Sequence, residues 1–191
     1  MAGKKYLFTP GPTPVPPQVL AALGEPIVHH RSPDFRPIYE RCLTRLREVC
    51  RTERDVLLYT ASGTGAFESA VANLVSPGEP HLVVSSGNFG ERWAAMVGGY
   101  GADVDHLRYE WGETPNPDDV TARLREREAK AVWVVHSETS TGVVSDIQAL
   151  AAAARRRDRS SSSTRSRASE PCRARRMPGV STSSCPAPRK R

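Results

Sequence analysis

LLYTASGTGAFESAVANLV, residues 57–75, sets a small glycine-rich turn between an apolar run and an amphipathic pattern. DVLLYT at 55–60 reads as a short buried strand. Phe67, Val71, Leu74 and Val75 recur at helical spacing, and Pro77-Gly78 stops the helix. A strand feeding a helix through Ser62-Gly63-Thr64-Gly65-Ala66 aims free backbone N–H groups and the positive end of the helix dipole at one spot, which suits a phosphate. No Lys follows to complete GxxxxGK[ST], and Glu68 stands where GxGxxG needs its third small residue, so neither nucleotide fingerprint applies. From this segment alone, a ligand-free helix start with flexible glycines remains the alternative.

Outward from the turn, apolar runs and helical patterns alternate. HLVVSS (81–86), ADVDHL (102–107) and AVWVV (131–135) read as strands; FGERWAAMVGGYG, PDDVTARLREREA and SDIQALAAAARRR read as helices, the last capped near Ser145 or Asp146. Upstream, Ile38, Cys42, Leu46, Val49 and Cys50 share one face of a helix introduced by Ser32-Pro33-Asp34, after a Pro-rich extended opening through Pro17. Strands this apolar have no wet face. The expected fold class is therefore α/β, a mostly parallel sheet flanked by helices on both sides.

Charge separates the body from the end of the chain. Of 27 Lys and Arg, twelve lie from Arg155 onward beside only two acids, so the net charge of +6 belongs to the last segment and the rest is mildly acidic. A basic nucleic-acid or membrane contact is thus suggested only for that segment. Cys42, Cys50, Cys172 and Cys185 form no CxxC pair, which favours reduced, packed thiols over a metal site. The opening MAGKKYLFTPGPTPVPP lacks the apolar core of a signal peptide, and no run approaches the roughly 18 apolar residues of a membrane span. A soluble, cytoplasmic protein is the expectation.

Four segments in this order, FTPGPTPVPPQVL (8–20), SGTGAFESAVANLVSPGE (62–79), SSGNFGERWA (85–94) and HSETSTGV (136–143), resemble the class V aminotransferases. These are fold-type I enzymes that use pyridoxal 5'-phosphate (PLP). The chain looks most like the alanine:glyoxylate and serine:pyruvate group over residues 6 to about 158; cysteine desulfurases share the phosphate loop and are the nearest alternative. The resemblance implies that Thr64, Gly65 and Ala66 hold the cofactor phosphate through backbone amides and the Thr hydroxyl. It implies that Phe89 stacks on the pyridine ring, where relatives often place Trp, and that Thr139 contacts the ring. Gly11, in the TPGP turn, would lie near the substrate. It further implies a homodimer acting on a small amino acid and a 2-oxo acid, without membrane or nucleic acid. Each residue also has a plain reading: Phe89 as a core aromatic, Thr139 as a strand-end cap, the Pro-rich start as an extended arm. His29, His30 and His136 read as structural.

PLP chemistry needs a Schiff-base Lys and an Asp that keeps the pyridine nitrogen protonated. The resemblance expects both after the AAAARRR helix, and neither segment is present. DRSSSSTRSRASEPCRARRMPGVSTSSCPAPRKR begins at Asp158 instead. Decoded one base out of register, Ser160–Pro171 can give VVVDAVSSLGA, and Arg175–Lys190 can give SDAWGLDVVVSGSQK; Met177 followed by Pro178 must give Ala. A changed reading frame near Asp158 or Arg159 accounts for this. The rival is a genuine Arg/Ser segment that binds RNA through phosphate contacts. The expected organisation is an extended N-terminal arm at 1–20, a partial, incomplete PLP-binding large domain at 21–158 and a disordered, out-of-frame basic tail at 159–191. A catalytically empty fragment follows, and Lys190 is no aligned substitute for the missing Lys.

Overall fold

The computed structural model describes residues 6–155, 175–177 and 180–184. Expectations that fall on the other positions, including Cys172, Cys185, Lys190 and most of the 159–191 tail, lie outside the described residues. The chain divides into two units, Met1–Val49 and Cys50–Arg191.

In the first unit, α1 spans Pro17–Leu23 and α2 spans Phe35–Cys50. The extended arm therefore ends before residue 20. Pro17 opens α1 because its fixed φ suits a first helical position, and the Gly24 N–H closes it on the Leu20 and Ala21 carbonyls. No residue of α1 or α2 is buried. Cys42 and Cys50 are free thiols, but Cys42 is exposed and Cys50 half-buried, so the expected packing of these cysteines does not hold.

The second unit carries α3 (Gly63–Leu74), β1 (Pro80–Ser85), α4 (Asn88–Gly99), β2 (Asp103–Arg108), α5 (Pro117–Glu126), β3 (Ala131–Val134), β4 (Ser137–Glu138), β5 (Val143–Val144), α6 (Ile147–Arg155), β6 (Arg175–Met177) and β7 (Val180–Ser184). The main sheet runs β2-β1-β3-β7-β6. β1 pairs in parallel with β2, Pro80 opposite Asp103, and with β3, His81 opposite Ala131. Alternation along the strands separates two cores. Leu82, Val84, Val132 and Val134 meet Val120 and Leu124 of α5 and Ile147, Leu150 and Ala153 of α6. Val83, Ala131 and Trp133, with Val135 just past β3, meet Phe67 and Val71 of α3 and Trp93 and Val97 of α4. Each Val, Leu, Ile or Phe among them contributes about 1.5–3 kcal/mol by leaving water. The expected doubly covered parallel sheet is present.

Helix starts follow local chemistry. Asn116 caps α5 by accepting the Asp118 N–H at 3.0 Å, with Pro117 at the first helical position; Asp146 caps α6 by accepting the Ala149 N–H at 3.0 Å.

Two expectations fail. Residues 55–60 form no strand, and Leu57 is 71% exposed, because no strand among the described residues supplies a ladder for that apolar run. The tail was expected to add no strand, yet β7 lies antiparallel against β3, with Ala131 opposite Ser184 and Val134 opposite Ser181, and β6 folds back on β7. VSTSS carries no charge and no proline, so its main chain can fill the open ladder of β3.

Candidate active site

The chain passes from β1 through α4 to β2, then through α5 back across β1 to β3 on its other side. Strand order thus reverses at β1, and the crevice beyond the carboxyl ends of β1 and β3 is where open α/β sheets take ligands. Two helix N-termini belong to this region of sequence, those of α3 and α4, and they differ in what fills them.

The start of α4 is already occupied. HSETSTG bends into the β4–β5 hairpin, whose turn places Gly142 at φ 83 and closes with the Gly142 N–H on the Glu138 carbonyl at 2.8 Å. That turn delivers Glu138, 1% exposed, to the helix: Oε2 accepts the N–H groups of Phe89 and Gly90, each at 3.0 Å. Oε1 accepts the Ser140 hydroxyl at 2.5 Å and the Ser140 N–H at 3.3 Å, and the Ser140 hydroxyl oxygen accepts the Asn88 N–H at 3.0 Å. A protein carboxylate therefore sits where the dipole of α4 favours negative charge.

The start of α3 is open. Ser62 has extended backbone, and its carbonyl accepts the N–H groups of Gly65 at 3.0 Å and Ala66 at 3.4 Å. Its side chain makes no capping bond. The amides of Gly63 and Thr64 precede the first helical hydrogen bond and have no protein acceptor among the described residues. Space around Gly63 is open, whereas a Cβ on Gly65 would come 2.7 Å from the Ala61 Cβ. The exposed Thr64 hydroxyl oxygen accepts Arg92 Nη2 at 2.6 Å, and the Arg92 guanidinium carbon lies 5.3 Å from the Phe89 ring centre and 6.0 Å from that of Phe67.

The site residues expected from sequence mostly converge. Thr64, Gly65 and Ala66 form the first turn of α3; Arg92 bridges Thr64 to Phe89, and Glu138 and Ser140 bridge the Phe89 turn to Thr139, exposed at the hairpin tip. Phe89 is half-buried beside the core that contains Phe67, Trp93 and Trp133, so its plain reading as a core aromatic holds in part. Gly11 stands in the first unit, in a turn where the Thr9 hydroxyl donates to the Pro12 carbonyl at 2.6 Å. Arg92, Glu138 and Gly87 escaped the sequence reading. Arg92 was detectable as the helical i+3 neighbour of Phe89, and Glu138 as the one acid in an otherwise uncharged segment leaving an apolar strand.

Beneath α4, the Ser85 hydroxyl donates to Glu91 Oε1 at 2.9 Å and lies 2.8 Å from His106 Nε2. Burial pushes the His106 imidazole down from its ordinary value, while Glu91 pulls it back up. This network joins β1, β2 and α4 and leaves the nucleophile-type Ser85 buried.

The family model "Aminotransferase class-V" matches residues 5–160. The chain belongs to the class V aminotransferases. The class V chain is 41% identical over 153 residues to "Soluble hydrogenase, small subunit" of Synechococcus sp., covering 78% of this chain and 40% of that one. It is 38% identical over 152 residues to the serine–glyoxylate aminotransferase of Methylorubrum extorquens, covering 78% and 38%. Among solved structures, an aspartate aminotransferase of subgroup IV from Thermus thermophilus superposes with a TM-score of 0.73 at 42% identity, over 78% of this chain and 42% of that one. The chain thus spans about two fifths of the length of the relatives it matches. No helix among the described residues is long and apolar enough to cross a membrane.

Proposed function

We propose that this class V chain carries the part of a PLP-dependent aminotransferase that grips the cofactor, and that the whole protein moves an amino group from a small amino acid to a 2-oxo acid such as glyoxylate. One observation carries the reading: of the two helix starts, that of α4 is neutralised by Glu138, while that of α3 presents free amides, a hydroxyl and a nearby guanidinium. The serine–glyoxylate relative supports the substrate class.

The residues fit the group. Gly63 leaves open space before the turn, Gly65 keeps the helix start close to Ala61, and the Thr64 hydroxyl is already paired to a donor. Bound there, PLP supplies an electron sink for the α-carbon of an amino acid. Thr64 would bind the phosphate through its N–H and O–H donors with the Gly63 N–H beside it, while Gly65 and Ala66, expected as amide donors, give their N–H groups to the Ser62 carbonyl and would instead shape the turn; Phe89 would orient the ring by stacking, and Thr139, held by its neighbours Glu138 and Ser140, would contact the ring. Pairing of two chains belongs to the same proposal. The Lys and Asp that move protons and hold the pyridinium have no aligned residue in these 191 positions. The polypeptide is therefore proposed to hold the cofactor without turnover.

Tryptophan-emission titration of the full chain with pyridoxal 5'-phosphate tests this, followed by borohydride reduction and peptide mapping. One saturable site, competed by inorganic phosphate, with no single dominant lysine adduct and no pyruvate formed from alanine and glyoxylate is the expected result. Absence of saturable binding overturns the cofactor reading; turnover overturns the inactivity.

A further inference from the structure

We infer that Arg92 is a positioning residue for the phosphate end of the cofactor: it fixes the direction of the Thr64 hydroxyl, so that the turn at 62–66 selects an anionic ester. This rests on the reading that the turn holds PLP.

The chemistry of the pair decides the direction of its hydrogen bond. A guanidinium has N–H donors and no acceptor, so at 2.6 Å the Thr64 oxygen must accept from Arg92 Nη2. The single hydroxyl proton of Thr64 is then left to donate elsewhere. Threonines inside helices commonly spend that proton on the preceding turn, and here Thr121 gives it to the Pro117 carbonyl and Thr44 to the Glu40 carbonyl, both at 3.0 Å. Thr64 has no such acceptor among the described residues: it stands in the first turn of α3, beside the unfilled amides of Gly63 and Thr64. A hydroxyl held as donor beside two N–H donors is a recognition surface for an oxyanion and a poor one for a neutral group.

Arg92 is itself held in place. Its guanidinium carbon is 5.3 Å from the Phe89 ring and 6.0 Å from the Phe67 ring, within cation–π range, which restricts the swing of a long side chain. Among the described residues no carboxylate pairs with it. Its remaining donors and its charge thus lack a counter-ion at the place where a phosphate is expected. Phe89 and Arg92 are i and i+3 on α4, so the element that carries the stacking ring also sets the donor state of the phosphate turn.

The test compares pyridoxine 5'-phosphate with pyridoxine as probes. Neither carries an aldehyde, so neither forms adducts with surface lysines, and both are read by tryptophan emission of the full chain. The wild type is expected to bind the phosphate ester at least 100-fold more tightly than the alcohol. Arg92→Met and Thr64→Val should each cut that ratio about tenfold with pyridoxine affinity unchanged, the double variant should be no worse than either single one, and Arg92→Lys should recover most of the ratio. If Arg92→Met keeps the wild-type ratio, the inference falls while the cofactor reading stands. If it loses both probes equally, or if the double variant is fully additive, Arg92 serves the fold and the inference falls. A wild type without preference for the ester overturns the cofactor reading and the inference with it.

Discussion

Glu138 occupies the space that a side chain on Gly87 would need: a Cβ built on Gly87 would lie 2.5 Å from Glu138 Cγ and 2.7 Å from Cδ. Gly87 has extended backbone, so the requirement is for room and not for a glycine-only conformation. Gly87→Ala must therefore displace the carboxylate from the start of α4. Overpacking of this kind costs about 1–3 kcal/mol. A denaturant midpoint equal to that of the wild type would show that the two elements are not in contact.

Glu138 meets donors on every side: Phe89 N–H, Gly90 N–H, Ser140 N–H and the Ser140 hydroxyl. Glu138→Gln turns an NH2 toward one pair of donors and should lower stability by about 1–2 kcal/mol; Glu138→Ala leaves the half-buried Phe89 N–H and the buried Gly90 N–H unpaired and should cost about 3 kcal/mol. Equilibrium unfolding orders the two variants, and an alanine no worse than the glutamine contradicts the bonding scheme.

Gly63 and Gly65 should respond in opposite ways to alanine. Open space surrounds Gly63, so Gly63→Ala is expected to be neutral or to stabilise by up to about 1 kcal/mol through the unfolded chain. Gly65→Ala brings a methyl to 2.7 Å from the Ala61 Cβ and should destabilise by about 1–3 kcal/mol. Thermal unfolding of the two variants side by side reads this difference.

Acid should weaken the second unit in a defined window. Burial pushes His81 and His106 below the ordinary histidine value; Glu79 opposes the shift at His81 while Lys130 adds to it, and at His106 Glu91 and Asp105 oppose while Arg108 adds. The unfolded chain titrates these groups near 6.5, so below that pH it holds more protons than the folded chain and stability falls as pH is lowered. Above about 6.5 the contribution is fully present. Denaturant midpoints should drop between pH 7.5 and 5.5, and His106→Gln should shallow the slope; a midpoint that rises on acidification contradicts the burial of both rings.

Periodicity was enough for the interior of the sheet. Val83 and Val84 point to opposite cores because β1 is covered twice, and that is the arrangement a continuous apolar run announces. The same rule misread Leu57 and Leu58, since an apolar run becomes a strand only when a neighbour offers its ladder, and ladders are tertiary facts. At the site, the Thr64 turn was legible from its small residues. Glu138 stood out only as a lone acid after an apolar strand; what it does was not legible, because that depends on an approach to Phe89 across 49 residues of sequence. The strand β7 was hidden for a different reason: VSTSS lacks the apolar residues that periodicity weighs, while main-chain pairing needs none.

The hairpin on β3 changes how this sheet meets other molecules. With β7 in place, the outward border on that side is Arg175–Met177, three residues long, and the opposite border is β2, whose Asp103 and Asp105 are bound by Arg127 and Arg123. Short or charge-bearing rims are poor templates for a visiting strand. Self-association of this polypeptide should then proceed through exposed side chains such as Leu57 and Ile27 and respond to mild detergent, without the ordered, dye-binding fibrils that rim-to-rim stacking produces.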